Sequence, residues 1–125
     1  VLEPLSGYLL LCKKLWREPK KYSGAWNFGP DPSGIMPVEH VVSRLVDLYG
    51  HDACWHHEIS SNHMHEAELL SLNISKARET LGWSPRWNLE LTLTETVDWY
   101  KQKFLAQASV LEVTIQQIQR YGPLD

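Results

Sequence analysis

The sequence predicts an α/β to α+β fold, with about five helices around a small, partly parallel sheet. Apolar residues recur at three- and four-residue steps in several segments, which is typical of amphipathic helices. Short apolar runs bounded by glycine and proline lie between these segments, and such runs are typical of strands that end in turns. A chain of 125 residues with 43% hydrophobic content suits one small domain, so residues 1–125 are treated as a single unit.

The first helix is predicted to begin at Pro4 and to end near Arg17. Proline suits the first turn of a helix, because its missing N–H would have no partner there. Pro19 disfavours helical dihedral angles at Glu18, which sets the end of the helix. The helix carries one apolar stripe, made of Leu5, Tyr8, Leu9, Cys12, Leu15 and Trp16.

A strand, a helix and a second strand are predicted next. Residues 25–28 read as a short strand that leads into a turn-rich loop over residues 29–34. Pro37 opens a helix that Gly50 is placed to close, and residues 53–59 read as the second strand. Together these elements would make one right-handed parallel βαβ unit.

The second half of the chain is predicted to be mainly helical, after a further short strand at residues 69–72. Ser75 is expected to cap a brief helix that Gly82 closes. Asn88 is expected to cap a longer helix. Thr114 has a glutamine three residues on, which is the spacing of a capping box, so the last helix is predicted to start after Thr114.

The charge and the cysteine content restrict the binding partners and the cellular compartment that are expected for this chain. The formal net charge is -3 and no run of Lys or Arg exceeds two residues, so nucleic acid is excluded as a partner. Two cysteines are too few for a disulfide framework, which favours a cytoplasmic protein. The apolar run at residues 8–12 is too short for a membrane span, and its lysines follow it, unlike those of a signal peptide. The chain opens at Val1 without Met, so we expect a piece of a longer protein.

The residues that a dinucleotide-dependent dehydrogenase needs are missing from the sequence. The glycines stand at positions 7, 24, 29, 34, 50, 82 and 122, whereas a Rossmann loop needs closely spaced glycines after a strand. Short-chain dehydrogenases also use a tyrosine with a lysine four residues on, and none of the five tyrosines here has one. We therefore predict no catalytic residues and no cofactor in this chain.

Several segments carry a resemblance to a known family. They are residues 1–9 (VLEPLSGYL), 25–30 (AWNFGP), 65–67 (HEA), 72–77 (LNISKA), 81–87 (LGWSPRW), 96–100 (TVDWY) and 114–118 (TIQQI). In their order and spacing they resemble the C-terminal part of the CDP-glucose 4,6-dehydratases, which are extended short-chain dehydrogenases. The resemblance covers nearly the whole chain.

The resemblance implies a substrate-binding domain cut off from its NAD-binding Rossmann domain. In the family, the N-terminal domain binds NAD and carries the Tyr–Lys pair, and the C-terminal domain grips the nucleotide of the substrate. The whole enzyme, a lyase of deoxysugar biosynthesis, oxidises C4 of CDP-glucose, removes water across C5 and C6, and returns hydride to C6. This chain is then expected to bind a CDP-sugar weakly and not to turn it over. The alternatives are a free-standing ligand-binding module and an oligomeric interaction protein.

By the resemblance, His65 and Glu66 are candidate substrate-binding residues, because an imidazole can donate to phosphate or ribose oxygens and a carboxylate can accept from a hydroxyl. Asn27, at the end of the first predicted strand, is a third candidate. The alternative for Asn27 is that it satisfies backbone groups at a turn. Asn73 stands where the family usually has Asp, which is expected to weaken a local charge or capping interaction.

The histidines are not expected to form a metal site. Five of the six lie between residues 51 and 65, with Cys54 among them, and both side-chain types are good zinc ligands. However, His56 and His57 are adjacent and would point to opposite faces of a strand. No pair has the i, i+4 spacing of a helical zinc motif. No bound zinc is therefore predicted.

The remaining prominent side chains are interpreted as structural. The tryptophans at turn and helix positions, including Trp83, Trp87 and Trp99, are expected in the core rather than on a sugar-stacking surface. Glu3 is expected to tie the first helix to neighbouring backbone. The apolar stripe of the first helix is wide enough that we expect a homodimer formed through it.

Overall fold

The computed structural model describes residues 1–50, 52–56, 71–107 and 109–123. Across these residues the chain forms five α-helices, two of which, α1 and α4, are sixteen residues long. The helices are α1 (Leu2–Arg17), α2 (Pro19–Tyr22), α3 (Val38–Tyr49), α4 (Leu89–Phe104) and α5 (Val110–Tyr121). A 3₁₀ turn (Pro32–Gly34) precedes α3, and a π-helical turn (Ala77–Leu81) precedes α4.

The predicted sheet is wrong, because no β-strand occurs in the part of the chain that the structure describes. The fold there is helical, not α/β to α+β, and the parallel βαβ unit is not formed. Residues 25–28 are irregular, as are the described ends of the other two predicted strands, residues 53–56 and 71–72. A strand is stable only where a second backbone pairs with it, and an apolar run cannot specify that partner.

Side chains, rather than a neighbouring strand, hold the segment predicted as the first strand. Trp26 Nε1 donates to the carbonyl oxygen of Tyr22 at 2.8 Å. Lys76 Nζ donates to the carbonyl oxygen of Ala25 at 2.9 Å and lies 4.2 Å from the centre of the Trp26 ring. These contacts place residues 25–28 beside the start of the π-helical turn.

Several predicted helix boundaries are confirmed. Helix α1 ends at Arg17, and α3 follows Pro37 directly. Gly50 closes α3 with φ of 63°, a conformation that glycine adopts at low cost. Asn88 caps α4, because its Oδ1 accepts from Leu91 N at 2.9 Å.

The predicted start of the last helix is wrong. Helix α5 begins at Val110, four residues before Thr114, and Ser109 Oγ accepts from Glu112 N at 3.4 Å. Thr114 lies inside the helix, where its hydroxyl donates to the Val110 carbonyl oxygen at 2.7 Å. A threonine inside a helix can bond to the carbonyl four residues earlier, so capping-box spacing alone does not mark a helix start.

The brief helix before α4 is confirmed, but Ser75 does not cap it. Asn73 Oδ1 accepts from Ser75 N at 2.9 Å at the start of this helix. Asn73 therefore makes a capping bond at the start of this helix. Gly82 ends the π-helical turn in the left-handed region, with φ of 74°, as predicted.

The main core lies where α1, α2 and the π-helical turn meet. Its buried members are Tyr22, Ile74, Ala77, Leu81 and Trp83, and its partly buried neighbours are Leu10, Leu11, Leu15, Trp26 and Phe28. The Phe28 ring sits edge-on to Trp83 at 5.0 Å. A Cβ at Gly7 would lie 2.2 Å from Phe28 Cδ1, so glycine there lets the aromatic ring approach the α1 backbone.

A second packed region joins the C-terminal helices. Helix α4 packs against α3 on one side and α5 on the other, with Leu93, Val97, Val113 and Tyr121 buried between the elements. No helix among the described residues is long and apolar enough to cross a membrane.

Candidate functional site

A carboxylate at the start of α1 joins three distant parts of the chain. Glu3 Oε1 accepts from Trp87 N at 2.7 Å, and Glu3 Oε2 accepts from Arg86 N at 3.0 Å. The Tyr121 hydroxyl lies 2.9 Å from the same Oε2. The predicted structural role of Glu3 is therefore confirmed, because its carboxylate links α1 to the turn before α4 and to the end of α5.

A buried hydroxyl continues this network into the core. Ser6 is only 5% exposed, and its Oγ donates to the Glu3 carbonyl oxygen at 2.7 Å. Trp83 Nε1 donates to Ser6 Oγ at 2.8 Å, and the Tyr121 hydroxyl lies 2.9 Å from it. Burial raises the pKa of Tyr121, and its contact with the Glu3 carboxylate acts in the same direction. This network is a structural joint between α1, the turn before α4 and the end of α5.

A cleft of about 390 Å³, lined by both polar and apolar side chains, lies beside this joint. We call it the polar cleft, after the charged residues in its wall. It is bounded by the loop before α3, by one face of α3, and by the turn that leads into α4. Its polar lining includes Asp31, Ser33, His40, Arg44, Arg86 and Glu90, and Trp87 adds an aromatic wall. The volume falls within the range of about 300–1,000 Å³ that is usual for small-molecule sites.

The charged side chains of the cleft are already paired with protein groups. Arg44 Nε donates to Glu90 Oε2 at 2.9 Å and to Glu90 Oε1 at 3.1 Å, which joins α3 to α4. This bond lowers the pKa of the Glu90 carboxyl. Arg86 Nη1 donates to the carbonyl oxygens of Pro123 at 2.7 Å and Tyr121 at 3.2 Å. These bonds fix the positions of Arg44, Glu90 and Arg86 in the wall of the cleft, and the Trp87 ring adds an aromatic surface.

Two of the three predicted site residues, His65 and Glu66, lie outside the described residues. The third, Asn27, is exposed, and its Nδ2 donates to the carbonyl oxygen of Asn73 at 3.2 Å. This bond matches the alternative interpretation, in which Asn27 satisfies backbone, although the predicted strand that would have carried it is absent. A substrate contact by these three residues stays a prediction.

The histidine-rich segment is described only in part. Cys54 Sγ and His56 Nε2 lie 4.0 Å apart, and the other four histidines between residues 51 and 65 fall outside the described residues. Within the described ranges, no group of three possible metal ligands occurs. The absence of a zinc site also stays a prediction.

The tryptophans occupy three different environments. Trp83 is 4% exposed and belongs to the core, as predicted. Trp87 is half-buried, with its ring edge-on to Tyr121 at 5.1 Å. Trp99 is also half-buried, and its Nε1 donates to Thr114 Oγ1 at 3.0 Å, which ties α4 to α5. The expected core position is therefore confirmed for Trp83, whereas Trp87 and Trp99 are only half-buried and also line cavities.

A second, mostly apolar cavity of about 460 Å³ lies between the start of α1, α4 and α5. Glu95 stands in its wall, and its Oε1 accepts from Arg120 Nη1 at 2.8 Å. Its Oε2 is buried without a hydrogen-bond partner among the described residues. That oxygen is closed off from the cavity surface, so a ligand in the cavity would not reach it in this conformation.

Sequence reasoning found the parts of the polar cleft but not the cleft itself. The loop at residues 29–34 was predicted as turn-rich, and residues 83–87 lie between the predicted helix end at Gly82 and the predicted cap at Asn88. Such segments often carry binding groups. The sequence does not show that the two walls of the cleft lie close together, because the lining residues of α3 and those of the turn before α4 are about forty positions apart. Only the packing of α3 on α4 brings them together.

Within the described residues, the fold is a helical domain with a cleft of the volume usual for small-molecule sites. No protein-family model matches the chain. Over 101 residues the chain is 48% identical to CDP-glucose 4,6-dehydratase of Salmonella typhimurium, a match that covers 81% of this chain and 28% of that enzyme. The chain is therefore homologous to a segment of a CDP-glucose 4,6-dehydratase, which confirms the resemblance drawn from its motifs.

Proposed function

We propose that this chain is the nucleotide-sugar-binding portion of a CDP-glucose 4,6-dehydratase-like enzyme and is catalytically inactive by itself. The observation that carries the proposal is the 48% identity to the Salmonella enzyme, over 81% of this chain but only 28% of the relative's length. A segment of that size would supply one part of the substrate site and leave the reacting groups to the rest of the enzyme. By the resemblance, that enzyme is cytoplasmic and serves deoxysugar biosynthesis.

The residues of this chain do not fit NAD, the cofactor of the full-length family. A Rossmann site needs a strand followed by closely spaced glycines, so that backbone amides can approach the pyrophosphate. No two glycines in the sequence are closer than five positions, as between Gly24 and Gly29, and the described residues contain no strand to precede such a loop. No chemical step is therefore assigned to this chain.

The proposed ligand is a cytidine diphosphate sugar, bound mainly through its nucleotide. His65 and Glu66 would donate to and accept from phosphate and ribose oxygens, and Asn27 would contribute an amide. Affinity should be low, because a lost charge-assisted contact to phosphate costs about 1.5–3 kcal/mol, roughly one to two orders of magnitude in Kd. By the resemblance, an Arg-bearing strand of the family is expected to contact phosphate, and residues 1–125 contain no counterpart of it.

Calorimetric titration of the chain with CDP, UDP and free glucose tests the proposal. CDP should bind in the high micromolar range and more tightly than UDP, and glucose alone should not bind measurably. His65→Ala and Glu66→Ala should each weaken CDP binding. His56→Ala and Glu39→Ala serve as matched controls, because both wild-type side chains are exposed. CDP binding that both site variants leave intact would remove these residues from the site.

Catalytic inactivity is tested separately, by incubating the chain with CDP-glucose and NAD. No 4-keto sugar product should form, since the sequence holds neither the glycine loop nor the Tyr–Lys pair. NAD-dependent product formation would contradict the proposal. A chain that binds no nucleotide but associates with itself would favour the alternative, an interaction protein derived from such an enzyme.

A further inference from the structure

Helix α1 carries apolar side chains on two faces, and only one of them is covered. Leu10, Leu11 and Leu15 pack against the core. The single stripe predicted from the sequence is thus divided, with Leu15 on the core side. The outward side chains are all exposed and form what we call the α1 strip: Leu5, Tyr8, Leu9, Cys12 and Trp16.

Basic residues are concentrated at the end of this helix. Five of the twelve Lys and Arg residues of the chain fall between positions 13 and 21, against one acidic residue, Glu18. This stretch therefore carries a net charge of +4, and since the whole chain carries -3, the other residues together carry -7. We call these five residues the basic cluster: Lys13, Lys14, Arg17, Lys20 and Lys21.

The basic cluster forms one surface across α1 and α2. The ammonium groups of Lys14, on α1, and Lys21, on α2, lie 5.9 Å and 5.1 Å from the centre of the same Tyr22 ring. Lys13 and Arg17 follow one edge of the α1 strip, by the helical repeat of about 3.6 residues per turn. The cluster therefore adjoins the tryptophan end of the strip.

We propose that α1 and α2 form a peripheral binding surface for an anionic lipid bilayer, with the α1 strip at the level of the headgroups and the basic cluster against the anionic lipids. A helix with apolar and aromatic residues on one face and Lys or Arg beside them is typical of segments that lie in the membrane interface. Tryptophan favours this interface because its ring is amphipathic, and Trp16 is 90% exposed. Lysine and arginine can bury their stems while their charges reach the headgroups.

The shape and the charge of this surface favour a bilayer over a protein partner. A peptide is usually held in a groove or added to a sheet edge. Neither of the two cavities is lined by residues 6–21, and the described residues contain no strand. The basic cluster also disfavours a second copy of this chain as the partner, because the like charges of two copies repel each other. The contact is with the membrane surface, since no described helix is long and apolar enough to cross a bilayer.

Co-sedimentation of the 125-residue chain with lipid vesicles tests the proposal. Vesicles of equal parts phosphatidylcholine and phosphatidylglycerol should bind the chain. Vesicles of phosphatidylcholine alone should bind it at least about ten-fold more weakly, because each basic residue near an anionic surface raises the affinity about five-fold. Binding should weaken when the salt is raised from about 0.1 M to about 1 M, which shortens the Debye length from about 10 Å to about 3 Å. Equal binding to both kinds of vesicle, or binding to neither, would overturn the proposal.

Two variants test the charge and the apolar strip separately. Lys20→Glu should weaken binding to the anionic vesicles at least about five-fold. Trp16→Ser should weaken it about ten-fold or more, because a large ring no longer leaves water. Both side chains are exposed, so the unfolding midpoint should stay close to that of the parent. Lys103→Glu on α4 and Leu111→Ser on α5 are the matched controls, since both positions are exposed and lie outside this surface. Equal losses in the controls, or full binding by both Lys20→Glu and Trp16→Ser, would contradict the proposal.

Quenching by brominated phospholipids shows whether Trp16 enters the bilayer. The tryptophan fluorescence of the parent chain should fall when it binds anionic vesicles that contain brominated acyl chains. Trp16→Phe should keep the binding, because phenylalanine is also apolar, and should lose most of the quenching. Quenching that persists in this variant would mean that a different face enters the bilayer. A chain that binds a polyglutamate peptide but not the vesicles would indicate an acidic protein partner, and the membrane proposal would be wrong.

Discussion

Replacing Glu3 with alanine should lower the free energy of unfolding by about 2–4 kcal/mol. The substitution removes the carboxylate that accepts from Trp87 N at 2.7 Å, from Arg86 N at 3.0 Å and from the Tyr121 hydroxyl at 2.9 Å. The variant thereby lacks the carboxylate that bonds to the turn before α4 and to the end of α5, so two connections of α1 to the rest of the chain are lost.

The magnitude follows from the number of bonds and their exposure. A hydrogen bond to a charged group contributes about 1.5–3 kcal/mol, so three bonds set an upper limit well above the expected loss. The bond from Arg86 N is exposed and water can replace it, whereas the Tyr121 hydroxyl is part-buried and left without its charged acceptor. Because small domains have only about 5–15 kcal/mol of stability, the loss should be easily measured.

Urea unfolding followed by tryptophan fluorescence measures the change. Glu3→Gln should lower the free energy of unfolding less than Glu3→Ala, since one side-chain oxygen remains as an acceptor. It should still destabilise the fold, because the new amide nitrogen is a donor that faces other donors. Glu79→Ala is the matched control, because Glu79 is exposed. If Glu3→Ala and Glu79→Ala differed by less than about 0.5 kcal/mol, Glu3 would not join these parts of the chain. A double-mutant cycle with Tyr121→Phe should give a coupling of about 0.5–3 kcal/mol.

Two further predictions concern the same region. Burial raises the pKa of Tyr121 above its ordinary value of 10.0, so the stability it contributes is complete below about pH 10 and is lost as pH rises through the folded-state pKa. The Tyr121→Phe variant should therefore be less stable than the parent at pH 7. Above pH 10, its free energy of unfolding, measured by urea titration, should fall less steeply with pH than that of the parent. Equal slopes for the two proteins would contradict this. Gly7→Ala should cost about 1–3 kcal/mol, because its Cβ would lie 2.2 Å from a Phe28 ring atom. Gly34→Ala, whose Cβ would meet Pro30 at an ordinary 3.5 Å, is the control and should unfold at nearly the parent's midpoint.

Helix positions could be predicted well because their signals are local. Pro37 and Gly50 bracket α3, and Asn88 caps α4, through bonds and dihedral angles that involve residues within one turn. The start of α5 shows where such a signal fails. Thr114 and Ser109 can each accept from a backbone N–H three residues on, and the spacing does not say which one is used.

The sheet and the candidate site could not be predicted in the same way. A strand needs a partner whose identity depends on the whole chain, and residues 25–28 find side-chain partners instead. His65 and Glu66 were selected by resemblance and remain predictions. The polar cleft was not found, because the sequence places its two walls far apart and contains no motif that joins them.

The sequence by itself determined the homology to a CDP-glucose 4,6-dehydratase, the missing glycine loop and Tyr–Lys pair, and most helix boundaries. These features are properties of residue order within short segments. Only the tertiary structure decided that Glu3 meets Arg86 and Tyr121, and that α1 keeps one apolar face uncovered. Such contacts join residues more than 80 positions apart, and they depend on how the helices pack, since no local preference of Glu3 selects a partner at the other end of the chain.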